Sequence, residues 1–219
     1  LSGAADDAKR QAILAAVEKQ LATPYGVALL APAFTKMRED IGRVTQKHPG
    51  SAENGSVYNH AAAFYIYSLY TIDEKDRAYT ALRQMIPGPG NDDYVQRGQL
   101  PVFIPNYYRG AFYQFPRTAG RSSQLFNTGT VHWFYRSLID GLFGLRGDVN
   151  GLRVEPKLPT HWQEAHVTRH FRGATLNVDV KRQSGITQTR VMVDGQLLDK
   201  PVIEKMTKGR IYQVEVIIG

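Results

Sequence analysis

Two short stretches of this chain carry residue types suited to chemistry. One is Glu53-Asn54-Gly55-Ser56-Val57-Tyr58-Asn59-His60, and the other is Asn127-Thr128-Gly129-Thr130-Val131-His132-Trp133. Each is a polar, glycine-containing turn that leads into an apolar run of helical length. A helix start exposes unpaired N–H groups and carries partial positive charge, so it is a natural seat for an oxyanion. An imidazole at one such start, with a hydroxyl and a close-approach glycine at the other, can bind one phosphate between them. This points to chemistry on phosphate or a sugar phosphate. Arg43 and Lys47, four apart in the segment before Glu53, form a second group. A guanidinium beside an ammonium can clamp a carboxylate, or the two can simply be a solvated charge pair. Glu53 suits sugar hydroxyls, or simply caps its turn. Tyr107, Tyr108 and Trp133 suit sugar rings, although such residues more often only pack.

These side chains need elements to hold them. Residues 6–22 place Ile13, Val17 and Leu21 four apart with Leu14 alongside, which predicts an amphipathic helix ended by Thr23-Pro24-Tyr25-Gly26. Residues 24–59 read as a long structured loop with one helical turn, and a loop of that length is usually functional. Residues 60–70 are apolar nearly all round, as in a buried helix. Asp73 is placed to cap a helix over 74–86 in which Ala78, Leu82 and Met85 face the core, stopped by Pro87-Gly88-Pro89-Gly90. A second long loop, rich in Tyr, Phe, Arg and Pro, covers 87–127. A third strong helix follows over 129–143, with Val131, Phe134, Tyr135, Leu138, Ile139 and Leu142 in register. Beyond about residue 147 the period changes to two, in Leu152/Val154, Val167, Leu176/Val178/Val180, Val191/Val193 and Tyr212/Val214/Val216. Asp194-Gly195 signals a hairpin turn.

The chain has 219 residues, 42% of them hydrophobic, enough for one large domain or two small ones. It has no cysteine, which excludes disulfides and thiolate metal sites. The formal charge of +7 and pI near 9.6 fit a basic surface or attraction of an anionic substrate. No run of five Lys/Arg and no nucleic-acid motif is present, so nucleic acid is not the expected partner. No apolar stretch reaches the ~18 residues of a membrane span. The chain begins without Met or a secretion signal, directly in a mature helix, and the expectation is a portion of something larger.

Several runs together resemble glycoside hydrolase family 94, the inverting glucoside phosphorylases and the phosphorylase-like part of cyclic β-1,2-glucan synthases. They are Ile41-Gly42-Arg43-Val44-Thr45, Glu53–Ser56 with His60, Gly120-Arg121-Ser122, Thr128-Gly129-Thr130 with Trp133, Gly144-Leu145-Arg146, Gly151–Pro156 and Val167–Thr175. The resemblance covers nearly the whole chain and is strongest at Thr128-Gly129-Thr130. It implies an α+β fold: residues 1–146 as the C-terminal helices of an (α/α)6 barrel, and residues 147–219 as a β-sandwich-like tail.

The resemblance also implies roles. His60, Thr128 and Gly129 match the family's phosphate contacts, and Asn106 falls near a phosphate-contacting Gln. Arg121, just upstream, is a further candidate. Each has a plain alternative: a core histidine, a helix N-cap, a solvated loop arginine. The surroundings of Arg43 and Lys47, with Pro101–Gly110, look most like the cellobionate-type enzymes, whose leaving sugar is gluconate. The sugar group is then Arg43, Lys47, Glu53 and Tyr107. Phosphate is itself the nucleophile, so one carboxylic acid suffices where water-using inverting enzymes need two. That proton donor has no counterpart among Asp6, Asp7, Asp40, Asp92 or Asp93, so no catalytic residue is assigned and the chain alone is expected to be inactive.

The expected partners are an oligosaccharide, inorganic phosphate as substrate, the N-terminal remainder of the same protein and a second copy in a homodimer. No cofactor or metal is expected, and the expected compartment is cytoplasmic. Two rivals stand beside this reading. A cyclic β-1,2-glucan synthase-like protein would be membrane-associated, and a non-catalytic carbohydrate-binding module would bind sugar without regard to phosphate.

Overall fold

The computed structural model describes residues 2–86, 97, 104–124, 126 and 128–219. Pro87-Gly88-Pro89-Gly90, Asp92, Asp93, Pro101–Phe103 and Asn127 therefore lie outside the described residues. The described architecture is α+β, with four helices and several sheets. None of these helices is long and apolar enough to cross a membrane. The chain forms two compact units, one of residues 1–69 with 77–134 and one of residues 70–76 with 135–219.

In the first unit, α1 (Asp7–Ala16) starts where the Asp6 carboxylate accepts from Lys9 N at 2.8 Å. The expected apolar stripe is only partly realised, since Leu14 is buried but Ile13 is 50% exposed. The Val17 N–H still bonds Ile13 O in α-helical register, and Val17–Leu21 continue α1 as a π-helical turn. Helix α2 (Asn59–Thr71) buries Ala62, Ala63, Ile66 and Leu69, as its all-round apolarity predicts. Helix α3 (Lys75–Met85) buries Ala78, Ala81, Leu82 and Met85 on one face. Asp73 is not its cap: the helix begins two residues later, and Asp73 sits in a left-handed turn with φ 64°.

Between these helices lie very short strands: β1 (Ala22–Thr23), β2 (Gly26–Val27), β3 (Val57–Tyr58), β4 (Tyr107–Tyr108) and β5 (Ser122–Ser123). Strands β3, β4 and β5 pair antiparallel, with Tyr58 opposite Tyr107 and Tyr107 opposite Ser123. This small sheet joins the loop before α2 to the segment carrying Asn106. Helix α4 (Thr130–Arg136) opens with Gly129 O accepting from Trp133 N at 3.0 Å. A second π-helical turn continues it over Ser137–Leu142.

The second unit holds two sheets. Strands β6 (Leu145–Gly147), β7 (Leu152–Val154) and β12 (Val202–Ile203) form an antiparallel set of three. Strands β8 (Glu164–Phe171), β9 (Ala174–Arg182), β10 (Arg190–Val193), β11 (Gln196–Leu197) and β13 (Ile211–Ile218) form a sheet of five in the order β11-β10-β13-β9-β8. Period-two alternation buries Leu176, Val178 and Val180 of β9 and Tyr212, Val214 and Val216 of β13. The Asp194-Gly195 turn joins β10 to β11 with both residues at positive φ, 49° and 81°, as a tight hairpin requires. One pairing is not locally encoded: β13 lies parallel to β9 along its whole length.

Candidate functional site

The first unit gathers four polar side chains from three stretches far apart in sequence. Thr128 Oγ1 lies 3.2 Å from His60 Nδ1 and donates to Asn106 Oδ1 at 3.1 Å. Thr130 Oγ1 reaches the same Asn106 oxygen at 3.5 Å. Asn106 and Thr130 are buried, whereas Thr128 is exposed at the rim. Three different segments place them. His60 stands in the first turn of α2, Asn106 immediately precedes β4, and Thr128 and Thr130 flank the start of α4. Asn106 O accepts from Asn59 N at 3.0 Å, and the Asn59 amide donates to Pro105 O at 2.8 Å. The segment before β4 is thereby tied to the start of α2.

Gly129 completes this group through what it lacks. A Cβ at this position would stand 2.6 Å from His60 Cε1 and closer still to Nε2. No side chain fits there, so the backbone at the head of α4 runs directly against the imidazole. The ring is held on its other side by Phe64, stacked at 5.3 Å, which in turn packs on Trp133 at 4.2 Å.

The second group is built on the loop before β3. Asn54 is fully buried and satisfied: Oδ1 accepts from Phe34 N at 2.8 Å, while Nδ2 donates to Phe34 O at 2.9 Å and Lys47 O at 2.8 Å. This clamp fixes the backbone at Lys47, whose ammonium lies 3.8 Å from Glu53. Arg43 begins the 3-10 turn Arg43–Gln46 and is exposed. That turn is organised by Thr45, whose hydroxyl donates to Gly42 O at 2.8 Å and accepts from Arg38 N at 2.8 Å. Lys47 is therefore already engaged by an acid, and the described contacts bring Arg43 to neither.

Tyr107 is buried and stacks on Tyr58, with ring centroids 4.5 Å apart at 13°. Burial pushes its phenol above the usual value, and the negative charge of Glu53 and the neighbouring Tyr58 add to that shift. Tyr108 points the other way along β4. It is fully buried, donates to Met85 O at 2.9 Å and lies under the Arg97 guanidinium at 4.6 Å, so it is a core residue and not a sugar platform. Arg121 is exposed and flanks β5, where its carbonyl accepts from Arg109 N at 2.7 Å; among the described residues no contact links it to His60.

Sequence reasoning missed Tyr58. Its hydroxyl lies 3.4 Å from His60 Nδ1 and 3.5 Å from Thr128 Oγ1. The available signal was its place two residues before His60. Sequence reasoning also assigned nothing to Arg109, two residues along from Tyr107. Its Nη2 lies 3.0 Å from His48 Nδ1, and its Nε is buried without a hydrogen-bond partner. No group of three or more His, Asp or Glu able to hold a metal occurs among the described residues.

Residues 1–144 match the glycosyl hydrolase 94 superfamily, catalytic domain, and residues 145–196 match the glycosyl hydrolase family 65, C-terminal domain. The chain belongs to the glycosyl hydrolase 94 superfamily. It is 54% identical to a cellobionic acid phosphorylase of Neurospora crassa over 100% of this chain and 28% of that protein. It is 34% identical to a 3-O-beta-D-glucopyranosyl-beta-D-glucuronide phosphorylase of Paenibacillus borealis over 99% of this chain and 28% of that protein. It is also 26% identical to a cyclic beta-(1,2)-glucan synthase of Rhizobium meliloti, over 90% of this chain and 7% of that protein. The chain thus spans little more than a quarter of the length of the phosphorylases it matches.

Proposed function

We propose that this chain is the C-terminal portion of an inverting β-glucoside phosphorylase of the cellobionate type, and that it supplies the phosphate subsite and part of the leaving-sugar subsite. The observation that carries this reading is the meeting of His60, Thr128 and Asn106 beside Gly129, on segments 22 to 68 residues apart in a family 94 chain. Phosphate sits at the head of α4, where the Thr128 hydroxyl turns its hydrogen from Asn106 Oδ1 to it, beside the Gly129 N–H and the His60 imidazole. Held there, it attacks the anomeric carbon in line with the departing sugar. The donors offset its charge as the sugar becomes oxocarbenium-like. The folded chain is an α+β assembly in which the helices of residues 1–146 belong to an (α/α)6 barrel and residues 147–219 form the β-rich tail.

The proton donor for the leaving oxygen comes from outside this chain. A general acid at neutral pH needs a raised pKa. Asp6 caps α1, Asp7 pairs with Arg10 at 2.8 Å, and Asp40 pairs with Arg38 at 2.6 Å. The Arg38 guanidinium holds the Asp40 carboxyl below the usual carboxylate range, the opposite of what an acid catalyst requires.

The acidic leaving sugar is supported by Arg43 and Lys47 together with 54% identity to a cellobionic acid phosphorylase. Binding a carboxylate would draw Lys47 away from Glu53 and leave Glu53 to the sugar hydroxyls. The test is the synthetic reaction in the complete protein containing this sequence, with glucose 1-phosphate as donor. Gluconate should be the preferred acceptor. Equal use of glucose and gluconate would reject the cellobionate assignment and favour a β-1,2-glucan substrate.

A further inference from the structure

Tyr58 belongs to neither group of side chains singled out by the sequence, yet it touches both. Its hydroxyl faces His60 Nδ1 at 3.4 Å and Thr128 Oγ1 at 3.5 Å. Its ring lies flat on Tyr107 at 4.5 Å, and Tyr107 is near enough to feel the charge of Glu53. The path from imidazole to acidic side chain runs through two stacked phenols, held in register by the β3–β4 pair.

We propose that Tyr58 is a positioning residue shared by the phosphate and leaving-sugar subsites, with its hydroxyl setting the imidazole of His60 and its ring setting Tyr107. The inference rests on the phosphorylase reading of the same site. Counting protons gives the reason. The Thr128 hydroxyl spends its hydrogen on Asn106 Oδ1, so it faces His60 with lone pairs. An imidazole that bonds an anion through Nε2 carries its hydrogen there, so Nδ1 is an acceptor that Thr128 does not serve. The Tyr58 hydroxyl, at 3.4 Å, supplies the donor for Nδ1. Nε2 is the ring nitrogen closest to Gly129. The two contacts of Tyr58 are long, as such bonds are before a ligand tightens a site. Its ring makes the second link, because flat-stacked phenols shift together.

The proposal separates the two halves of one side chain, and kinetics on the complete phosphorylase can read them separately. Tyr58→Phe keeps the stack and removes the hydroxyl. It should raise KM for phosphate about 3- to 10-fold, the weight of one neutral hydrogen bond, while KM for the sugar moves less than about 2-fold. Tyr58→Leu removes the stack as well and should raise both. In a His60→Ala background, Tyr58→Phe should add nothing to the phosphate effect. If Tyr58→Phe leaves phosphate KM unchanged while His60→Ala raises it, the role of Tyr58 is refuted and the phosphate site stands. If His60→Ala and Thr128→Val both leave phosphate KM unchanged, the phosphate site itself is wrong and the proposal goes with it. Should Tyr58→Leu fail to fold, Tyr58→Phe and its cycle with His60→Ala decide the matter alone.

Discussion

His60 and Thr128, 68 residues apart, face each other at 3.2 Å between the first turn of α2 and the head of α4. Their meeting sets polar groups from the starts of two helices side by side before any ligand arrives. Such preorganisation costs no rearrangement when charge develops.

Thr128→Val tests the hydroxyl with little change of shape. A hydrogen bond to a charged group is worth about 1.5–3 kcal/mol. Phosphate KM in the complete enzyme should therefore rise about 10- to 100-fold, with the melting temperature nearly unchanged because Thr128 is exposed. Steady-state kinetics at varied phosphate supply the measurement.

Gly129→Ala probes the close approach. The new methyl overlaps the His60 ring. Overpacking of this kind typically costs about 1–3 kcal/mol, and phosphate use should collapse with it. Adding His60→Ala makes room, so the double variant should regain thermal stability without regaining activity. Recovery of activity in the double variant would show that His60 is only packing.

The Lys47–Glu53 pair sets the expectation for acceptor choice. Its partners are one-third and one-half exposed, so the pair itself stabilises the fold little. Arg43→Ala combined with Lys47→Met should leave stability nearly unchanged while lowering the preference for gluconate over glucose by about 10- to 100-fold. Acceptor competition in the synthetic direction measures this ratio.

The Asp194 turn gives a prediction about pH. Its carboxylate accepts from Gln213 N at 2.9 Å and Arg210 Nη2 at 2.6 Å, and these bonds, the backbone one foremost, hold its pKa below the usual range. A depressed carboxyl contributes stability that is present above its unfolded pKa and lost as pH falls through its folded value. The Gln213 amide resonance should therefore shift as pH drops below about 4. In Asp194→Asn, which keeps the turn but cannot ionise, that shift should vanish.

How much of this was legible in the sequence depends on the range of the force involved. The all-round apolarity of 60–70 marked α2, and the Asp194-Gly195 pair marked its hairpin, because helix burial and tight turns are written in adjacent residues. The parallel union of β9 and β13 was not legible. Both strands alternate in the same way, and nothing local says which neighbour each will take. At the site, His60 and Thr128 were visible as polar residues at helix starts. Tyr58 was not, because its importance comes from a cross-strand stack with Tyr107 that only the β3–β4 register creates.

The most direct measurement is the phosphate dependence of bond cleavage by the complete protein, for the native sequence and for His60→Ala. The account predicts that cleavage of a β-linked glucosyl disaccharide requires phosphate and releases glucose 1-phosphate in step with the free sugar. His60→Ala should raise phosphate KM by at least about tenfold with little change in KM for the sugar, and the 219-residue chain by itself should release no glucose 1-phosphate. Cleavage that proceeds to free glucose without phosphate, or a His60→Ala enzyme with native phosphate KM, would contradict it.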